Sequence, residues 1–299
     1  MKKNKKKIII ACIIVAAVIA AAAITAVTLN KNKVYSLADA GIENIEDVSL
    51  ISHRGLNVYA PENTVEAAQK AAEYGYKQVE FDIRLSKDGV WVLMHDEDIS
   101  RTTNGKGRVS ELTYKQLLSF RVDSDSKKDI VVIPSLEEML AACARLGLEP
   151  VIEIKQEGTD FIKDLLNFIG YRSGNCTVIT FSREQAEEIA KHLKAGDTSL
   201  FDKQVKCYWL VSELNDEVLE TAKSDTFIGI SFNGNKTENL KQLKKFTDAN
   251  TDLATWTIDK PDLMNELYSL GIRTFTSNRI TPDGVPEETT SEVDENGQR

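Results

Sequence analysis

The 299-residue chain has no CxxC pair, no glycine-rich nucleotide fingerprint and no excess of positive charge, and each absence removes a class of function. Its four cysteines, Cys12, Cys143, Cys176 and Cys207, are scattered, so neither a zinc site nor a disulfide framework is indicated. The last three lie in apolar surroundings, and that odd number predicts free, buried thiols behaving as small hydrophobes. A formal net charge of -9 and a pI near 5.1 argue against nucleic acid as the main partner, because gripping a phosphate backbone needs a positive surface. An anionic substrate would have to be met by local cations. No GxGxxG follows a strand-like run, and the only glycine cluster, Gly105-Lys106-Gly107, lies in a polar loop, which disfavours a Rossmann-type sheet. No internal repeat is visible, and 42% hydrophobic with 28% charged residues suits one large globular domain or two small ones.

Long apolar runs are also missing, with one exception. MKKNKKK precedes an uncharged run from Ile8 to Leu29, long enough to cross a bilayer core as a helix. Five lysines precede the run and two, Lys31 and Lys33, follow it closely, so the positive-inside bias places the N-terminus in the cytoplasm and the remainder outside. A cleaved signal peptide, with Ala21-Ala22-Ala23 as a small-residue site, is a rival, but the run exceeds a usual signal core. Lipidation at Cys12 is another, weakened because only Ile8 to Ala11 precede that cysteine as apolar residues. The organisation expected is a Lys-rich end and transmembrane anchor over 1–33, a flexible spacer over 34–50, a catalytic domain over 51–283 and a flexible acidic tail over 284–299.

Between the ends, runs rich in β-branched and aromatic residues alternate with helical patterns. AAQKAAEYGYKQVEFDIRL, EEMLAACARLGLEPVIEIK and LMNELYSLGIRTFTSN each place a glycine, Gly75, Gly147 or Gly271, just past an apolar-periodic helix and before a strand, where a left-handed residue ends the helix. Repeated units of this kind predict a parallel sheet with right-handed crossovers, and without a nucleotide fingerprint an α/β barrel is favoured. Nine strands are expected, near 49–53, 79–85, 90–95, 150–155, 177–181, 206–211, 227–232, 253–258 and 273–277. Only LSKDG separates the second from the third, too little for a crossover helix, so one element breaks the eightfold repeat.

A barrel of this type carries its chemistry at the carboxyl ends of its strands. The first strand ends in His53-Arg54-Gly55, the second carries Glu80 and Asp82, the third ends in His95-Asp96, and the fourth carries Glu153 and Lys155. Glu80 and Asp82 are two apart and so share a face, and Glu153 with Lys155 repeats that spacing. Three carboxylates converging from two strands would repel unless a cation lay between them, and an all-oxygen set suits one divalent cation, Ca²⁺, Mg²⁺ or Mn²⁺, rather than a soft metal. A salt-bridge cluster with Lys155 or Arg54 is the structural alternative. Of three histidines, His53 and His95 fall beside these acids, whereas His192 lies on a helix as a packed or solvated residue. Two imidazoles can serve as general base and general acid, and Arg54 and Lys155 can hold a phosphate between them. The constellation reads as metal-assisted phosphoester cleavage.

From about Ile51 to Pro282 the chain resembles the glycerophosphodiester phosphodiesterases, on an ordered set of segments: HRG (His53 to Gly55), PENT (Pro61 to Thr64), EFDIRLSKDG, His95-Asp96, DISRTTNGKGRVSELTYKQL, IPSLEEML, VIEIK, TFS and TWTID. The resemblance implies a TIM barrel with Glu80, Asp82 and Glu153 as metal ligands, His53 and His95 as the acid/base pair, and Arg54 and Lys155 on the phosphate. It further implies hydrolysis of small glycerophosphodiesters to an alcohol and glycerol 3-phosphate, with the glycerol 2-hydroxyl as one possible internal nucleophile. Residues 97–134 resemble that family's small insertion over the site, following the third strand. Asn63 is expected to cap the helix TVEAAQKAAEY with Glu66 completing the box, while Glu62 lies either behind the metal or on the surface. Trp256 would offer substrate an apolar wall or a cation-binding face, though ATWTI also suits core packing, and Phe181 carries the same ambiguity. Where many relatives close the last strand with aspartate, this chain has Thr276-Ser277-Asn278. A lipid-cleaving phospholipase D-like or sphingomyelinase D-like activity and a non-catalytic phospho-ligand-binding barrel are the competing readings, and no obligate protein partner is evident.

Overall fold

Strand-forming runs and amphipathic helices alternate along the chain, and in the computed structural model they close into a ring; residues 33–123, 130–199 and 204–282 are described. In chain order the strands are β1 (Tyr35–Ser36), β2 (Ser49–Ser52), β3 (Gln78–Leu85), β4 (Trp91–Leu93), β5 (Glu149–Ile154), β6 (Cys176–Thr180), β7 (Val205–Val211), β8 (Ile228–Asn233), β9 (Leu253–Trp256), β10 (Thr274–Ser277) and β11 (Ile280–Thr281). From β5 to β10 each strand pairs in parallel with the next. β10 then pairs with β2, β2 with β3 and β3 with β5, so eight parallel strands form a closed barrel. The helices are α1 (Val65–Glu73), α2 (Tyr114–Leu117), α3 (Leu136–Leu146), α4 (Ile162–Arg172), α5 (Arg183–Ala195), α6 (Asp216–Ser224), α7 (Thr237–Asp248) and α8 (Pro261–Ser269).

The ninth expected strand, near 90–95, is β4, and it lies outside the ring. The turn Ser86–Gly89 reverses the chain, with Ser86 N donating to Val90 O at 2.9 Å, so β4 runs antiparallel to β3 with Leu93 opposite Ile83. A five-residue link cannot span a parallel crossover, and the hairpin is the outcome its length permits. This return carries the chain back down β3 until Met94 N donates to Asp82 O at 3.1 Å, which delivers His95 to the level of the barrel carboxylates.

Local sequence explains the helices. α3 buries Leu136, Met139, Leu140 and Cys143, an i, i+3, i+4, i+7 stripe, and opens with a capping box between Ser135 and Glu138. Gly147 ends it at φ 68, and Gly75 and Gly271 likewise adopt positive φ at their helix-to-strand joints. The cap of α1 differs from expectation: Thr64, whose Oγ1 accepts from Ala67 N, holds the position assigned to Asn63, which is engaged inside the barrel. Two apolar clusters fill the space between strands and helices, and a third, Ile51, Val151, Ile179, Tyr208, Leu210 and Ala254, shares the strand face that carries Glu153. Cys143, Cys176 and Cys207 are buried and, among the described residues, form no disulfide.

The insertion has a satellite core of its own, in which Val92, Met94, Ile99, Val109, Leu117, Val122, Val131 and Ile133 pack together. The expectation of a flexible spacer over 34–50 is corrected. Leu37, Ala40 and Ile42 are buried and β1 pairs in parallel with β11, Tyr35 opposite Ile280. A short apolar segment without clear periodicity gains its order from contacts made elsewhere, and full burial of a Leu or Ile is worth about 1.5–3 kcal/mol. The expected transmembrane anchor and acidic tail lie outside the described residues. Among the described residues no helix is long and apolar enough to cross a membrane.

Candidate active site

Parallel pairing of β3 with β5 sets Asp82 directly opposite Glu153, and the two-residue period puts Glu80 on the same face one step below. One oxygen from each of Glu80, Asp82 and Glu153 lies within 4.8 Å of the others, and all three residues are buried. Among the described residues, Glu80 Oε1 and Asp82 Oδ1 have no hydrogen-bond donor in bonding geometry. Lys155 Nζ adds charge contacts, to Glu153 Oε1 and at 3.4 Å to Asp82 Oδ1. Burial, then the charges of Asp82 and Glu153, push the Glu80 carboxyl well above its usual range; burial and Asp82 push Glu153 up to about 7. Asp82, though burial opposes it, is held below its ordinary value by Lys155 and Arg54. Three buried carboxylates converging against two cations, Arg54 and Lys155, leave negative charge that a divalent cation would balance.

The cationic side of the site is built on a strained turn. Arg54 and Gly55, just past β2, both take positive φ, 54° and 72°. Arg54 N donates to Glu80 Oε2 at 2.8 Å and Gly55 N to Glu80 O at 3.2 Å, which fastens the turn to β3. The Arg54 guanidinium lies 3.3 Å from Asp82 Oδ2 and 3.0 Å from Glu62 Oε1. Asn63, at φ 58, donates from Nδ2 to Asp82 Oδ2 at 2.8 Å and accepts from Asp82 N at 3.0 Å. It leaves Asp82 Oδ1 for the cluster. Arg84 donates to His95 O and Lys155 O, tying β4 and β5 together at the site.

Each histidine on the cavity is held through Nδ1. His53 Nδ1 lies 2.8 Å from Asn278 Oδ1, and His95 Nδ1 lies 2.6 Å from Asp96 Oδ1. Nε2 is thereby left to the cavity in both. Burial lowers the pKa of both imidazoles, Arg54 adding to the effect at His53, while the carboxylates of Asp82 and Asp96 oppose it at His95 and support a protonated ring there. Asp96 is gripped by Arg101 of the insertion, whose Nη1 and Nη2 also donate to Glu62 at 2.9 and 2.7 Å. Arg101 thus connects the residue behind His95 with the residue behind Arg54.

A cavity of about 160 Å³ is lined by His53, Arg54, Glu80, His95, Glu153, Lys155 and, opposite, Ile179, Phe181, Leu210 and Trp256. Trp256 Nε1 donates to Ser231 O at 3.1 Å, which fixes the indole, and Phe181 meets it edge-on at 5.4 Å between centroids. Every residue expected at the site is therefore brought to it. His192 is not; it is buried on α5 with Nδ1 2.8 Å from Asp197 and Nε2 3.2 Å from Glu188. Glu62 contacts cations and not the carboxylate cluster. Sequence reasoning missed the site roles of Asn63, Arg84, Arg101 and Asp259. Arg101 and Asp259 sit inside the quoted DISRTTNGKG and TWTID segments, yet their partners are remote in the chain, and no local spacing identifies them.

Comparison with known proteins agrees with this geometry. Residues 53–281 match the glycerophosphoryl diester phosphodiesterase family. Glycerophosphodiester phosphodiesterase 1 of Bos taurus is 31% identical over 178 residues, covering 56% of this chain and 52% of that protein. A glycerophosphodiester phosphodiesterase of Caldanaerobacter subterraneus is 44% identical over 68 residues, 23% of this chain and 28% of that one. The alignments thus span about half the length or less of these relatives. Among solved structures, an Oleispira antarctica phosphodiesterase in complex with the product sn-glycerol-3-phosphate superposes with a TM-score of 0.68 at 22% identity, covering 77% of this chain and 93% of that one. The glycerophosphodiester phosphodiesterase of Thermotoga maritima gives 0.61 at 22% identity, covering 78% and 95%. With the family match extending over most of the barrel, the chain belongs to the glycerophosphoryl diester phosphodiesterase family.

Proposed function

We propose that this protein hydrolyses glycerophosphodiesters to an alcohol and glycerol 3-phosphate, with His53 and His95 as the acid/base pair. The observation that carries this reading is the set of three buried, converging carboxylates beside two imidazoles that line one cavity and are each held through Nδ1. Arg54 and Lys155 bind and orient the phosphodiester, one imidazole withdraws the proton of the attacking hydroxyl, and the other delivers a proton to the departing alkoxide. Glu80, Asp82 and Glu153 would hold a divalent cation of the Ca²⁺ or Mg²⁺ type, which supplies charge neutralisation at the phosphoryl oxygens. Phe181 and Trp256 form an apolar wall suited to a short carbon skeleton, placed opposite the charged floor. Residues 97–123, which resemble the family's insertion, would form the side of the site that reads the head group. MKKNKKK and the apolar run Ile8 to Leu29 support a membrane-anchored protein with its catalytic domain outside the cytoplasm.

The test is an assay of glycerophosphocholine, glycerophosphoethanolamine, glycerophosphoglycerol and an intact lysolipid, with and without EDTA, measuring glycerol 3-phosphate and free alcohol. Glycerol 3-phosphate should appear from the small diesters and cease with EDTA. His53→Ala and His95→Ala should each lower kcat by roughly 10²- to 10⁴-fold. Full turnover in EDTA or in either variant overturns the mechanism, and selective cleavage of the lysolipid moves the substrate class to intact lipids.

A further inference from the structure

One hydrogen-bonded chain behind His53 lies outside the carboxylate cluster, and its polarity runs one way. Asp259, just past β9, accepts from Asn278 twice, Asn278 N to Oδ1 at 2.8 Å and Asn278 Nδ2 to Oδ2 at 2.8 Å. An ionised carboxylate only accepts, so the Asn278 amide must turn its nitrogen toward Asp259 and its oxygen away. Asn57 imposes the same orientation independently. Its Nδ2 donates to the His53 carbonyl at 3.0 Å, which can only accept, and to Asn278 Oδ1 at 2.6 Å. With Asn278 Oδ1 fixed as an acceptor, its contact with His53 Nδ1 at 2.8 Å requires the proton to reside on Nδ1. His95 has a different arrangement, its Nδ1 facing the Asp96 carboxylate directly.

We propose that Asp259 and Asn278 are positioning residues that set the tautomer of His53, keeping its proton on Nδ1 and presenting Nε2 to the cavity as a proton acceptor. Neither residue touches the reacting atoms in this scheme; they act through the imidazole. The proposal deepens the hydrolase reading, on which its kinetic arm rests, while its spectroscopic arm needs no turnover.

The contact pattern makes a swap test available. Asn278→Asp alone sets two carboxylates face to face, and Asp259→Asn alone removes the carboxylate that accepts from Asn278 Nδ2, leaving Asn57 to hold the amide by itself. The double variant Asp259→Asn/Asn278→Asp can remake the side-chain bonds with the pair inverted: the amide introduced at position 259 can donate to the carboxylate introduced at position 278, which still accepts from His53 Nδ1. Each single variant should lose roughly 10- to 100-fold in kcat with little change in KM. The double variant should recover most of that loss, and because it restores the side-chain pairing it also controls for misfolding in the singles, checked by thermal unfolding. ¹⁵N-histidine spectra of the whole protein, simplified by its three histidines and assigned through His53→Asn, should show His53 protonated on Nδ1 at neutral pH and a tautomer mixture in Asn278→Leu. An unchanged His53 tautomer in Asn278→Leu, or a double variant no better than the worse single, overturns the proposal.

Discussion

Glu153 shows what a binding site does to a single residue. Its carboxyl, ordinarily near 4.5, is pushed up to about 7 by burial and by Asp82, because two ionised carboxylates side by side in a dry barrel repel. Between those values the cation-free fold retains a proton that the unfolded chain has released. The Glu153 contribution to stability therefore falls as pH rises through the window from 4.5 to about 7. His53 and His95, lowered by burial, act in the opposite sense, stability rising with pH as the unfolded imidazoles lose their protons. Comparison with Glu153→Gln isolates the carboxyl. In EDTA, thermal unfolding from pH about 5 to about 8 should show the variant gaining on the wild type as pH increases, and added divalent cation should raise only the wild type strongly. A constant difference across that range shows that the Glu153 carboxyl is not raised in the fold, and an equal response of both proteins to cation removes Glu153 from the proposed cation site.

At the scale of elements, the β2–α1 connection is the most constrained piece of backbone. Arg54, Gly55 and Asn63 all adopt positive φ, and the Gly55 Cα faces α1 so closely that an added Cβ would meet Ala67 Cβ at 2.5 Å and its carbonyl carbon at 2.6 Å. Gly55→Ala should therefore lower the stability of the protein by about 2–4 kcal/mol, measured by denaturant unfolding, since overpacking and a left-handed alanine add. A change below about 1 kcal/mol, roughly the scale of a surface substitution, shows that α1 can shift away. The HRG segment was legible as a strand end, but its closure onto Glu80 was not, because that bond joins residues 26 positions apart. Likewise the β4 hairpin follows from the brevity of LSKDG, whereas the return of His95 beside Asp82 depends on the register of Leu93 with Ile83.

For the whole molecule, the chain on the N-terminal side of the barrel is part of the fold. Leu37 and Ile42 are buried in the cluster that also contains Met264, Leu267 and Phe275. Leu37→Ala should cost about 2–5 kcal/mol in denaturant unfolding, as for other fully buried leucines. A neutral result returns residues 34–50 to the status of a spacer. The anchor proposal is tested at the same scale. Full-length protein should fractionate with membranes and resist extraction by high salt and alkaline carbonate, while a chain lacking residues 1–33 should be released. Recovery of the full-length protein in the salt wash rules out a spanning helix.

The amino-acid sequence by itself determined the alternation of strands and helices, the position of the odd element at LSKDG, and the residues that meet at the site, because period-2 spacing and strand-end location are local properties. Segment 34–50 reads as a spacer for the same reason, its order coming from contacts with residues more than two hundred positions away. Only the tertiary structure decided that Asn63 braces Asp82, that Arg101 joins Glu62 to Asp96, and that Asp259 reaches His53 through Asn278. These pairings depend on which side chains the closed barrel brings within hydrogen-bonding distance, and a polar residue in a loop carries no local signal of a partner that the register of distant strands supplies.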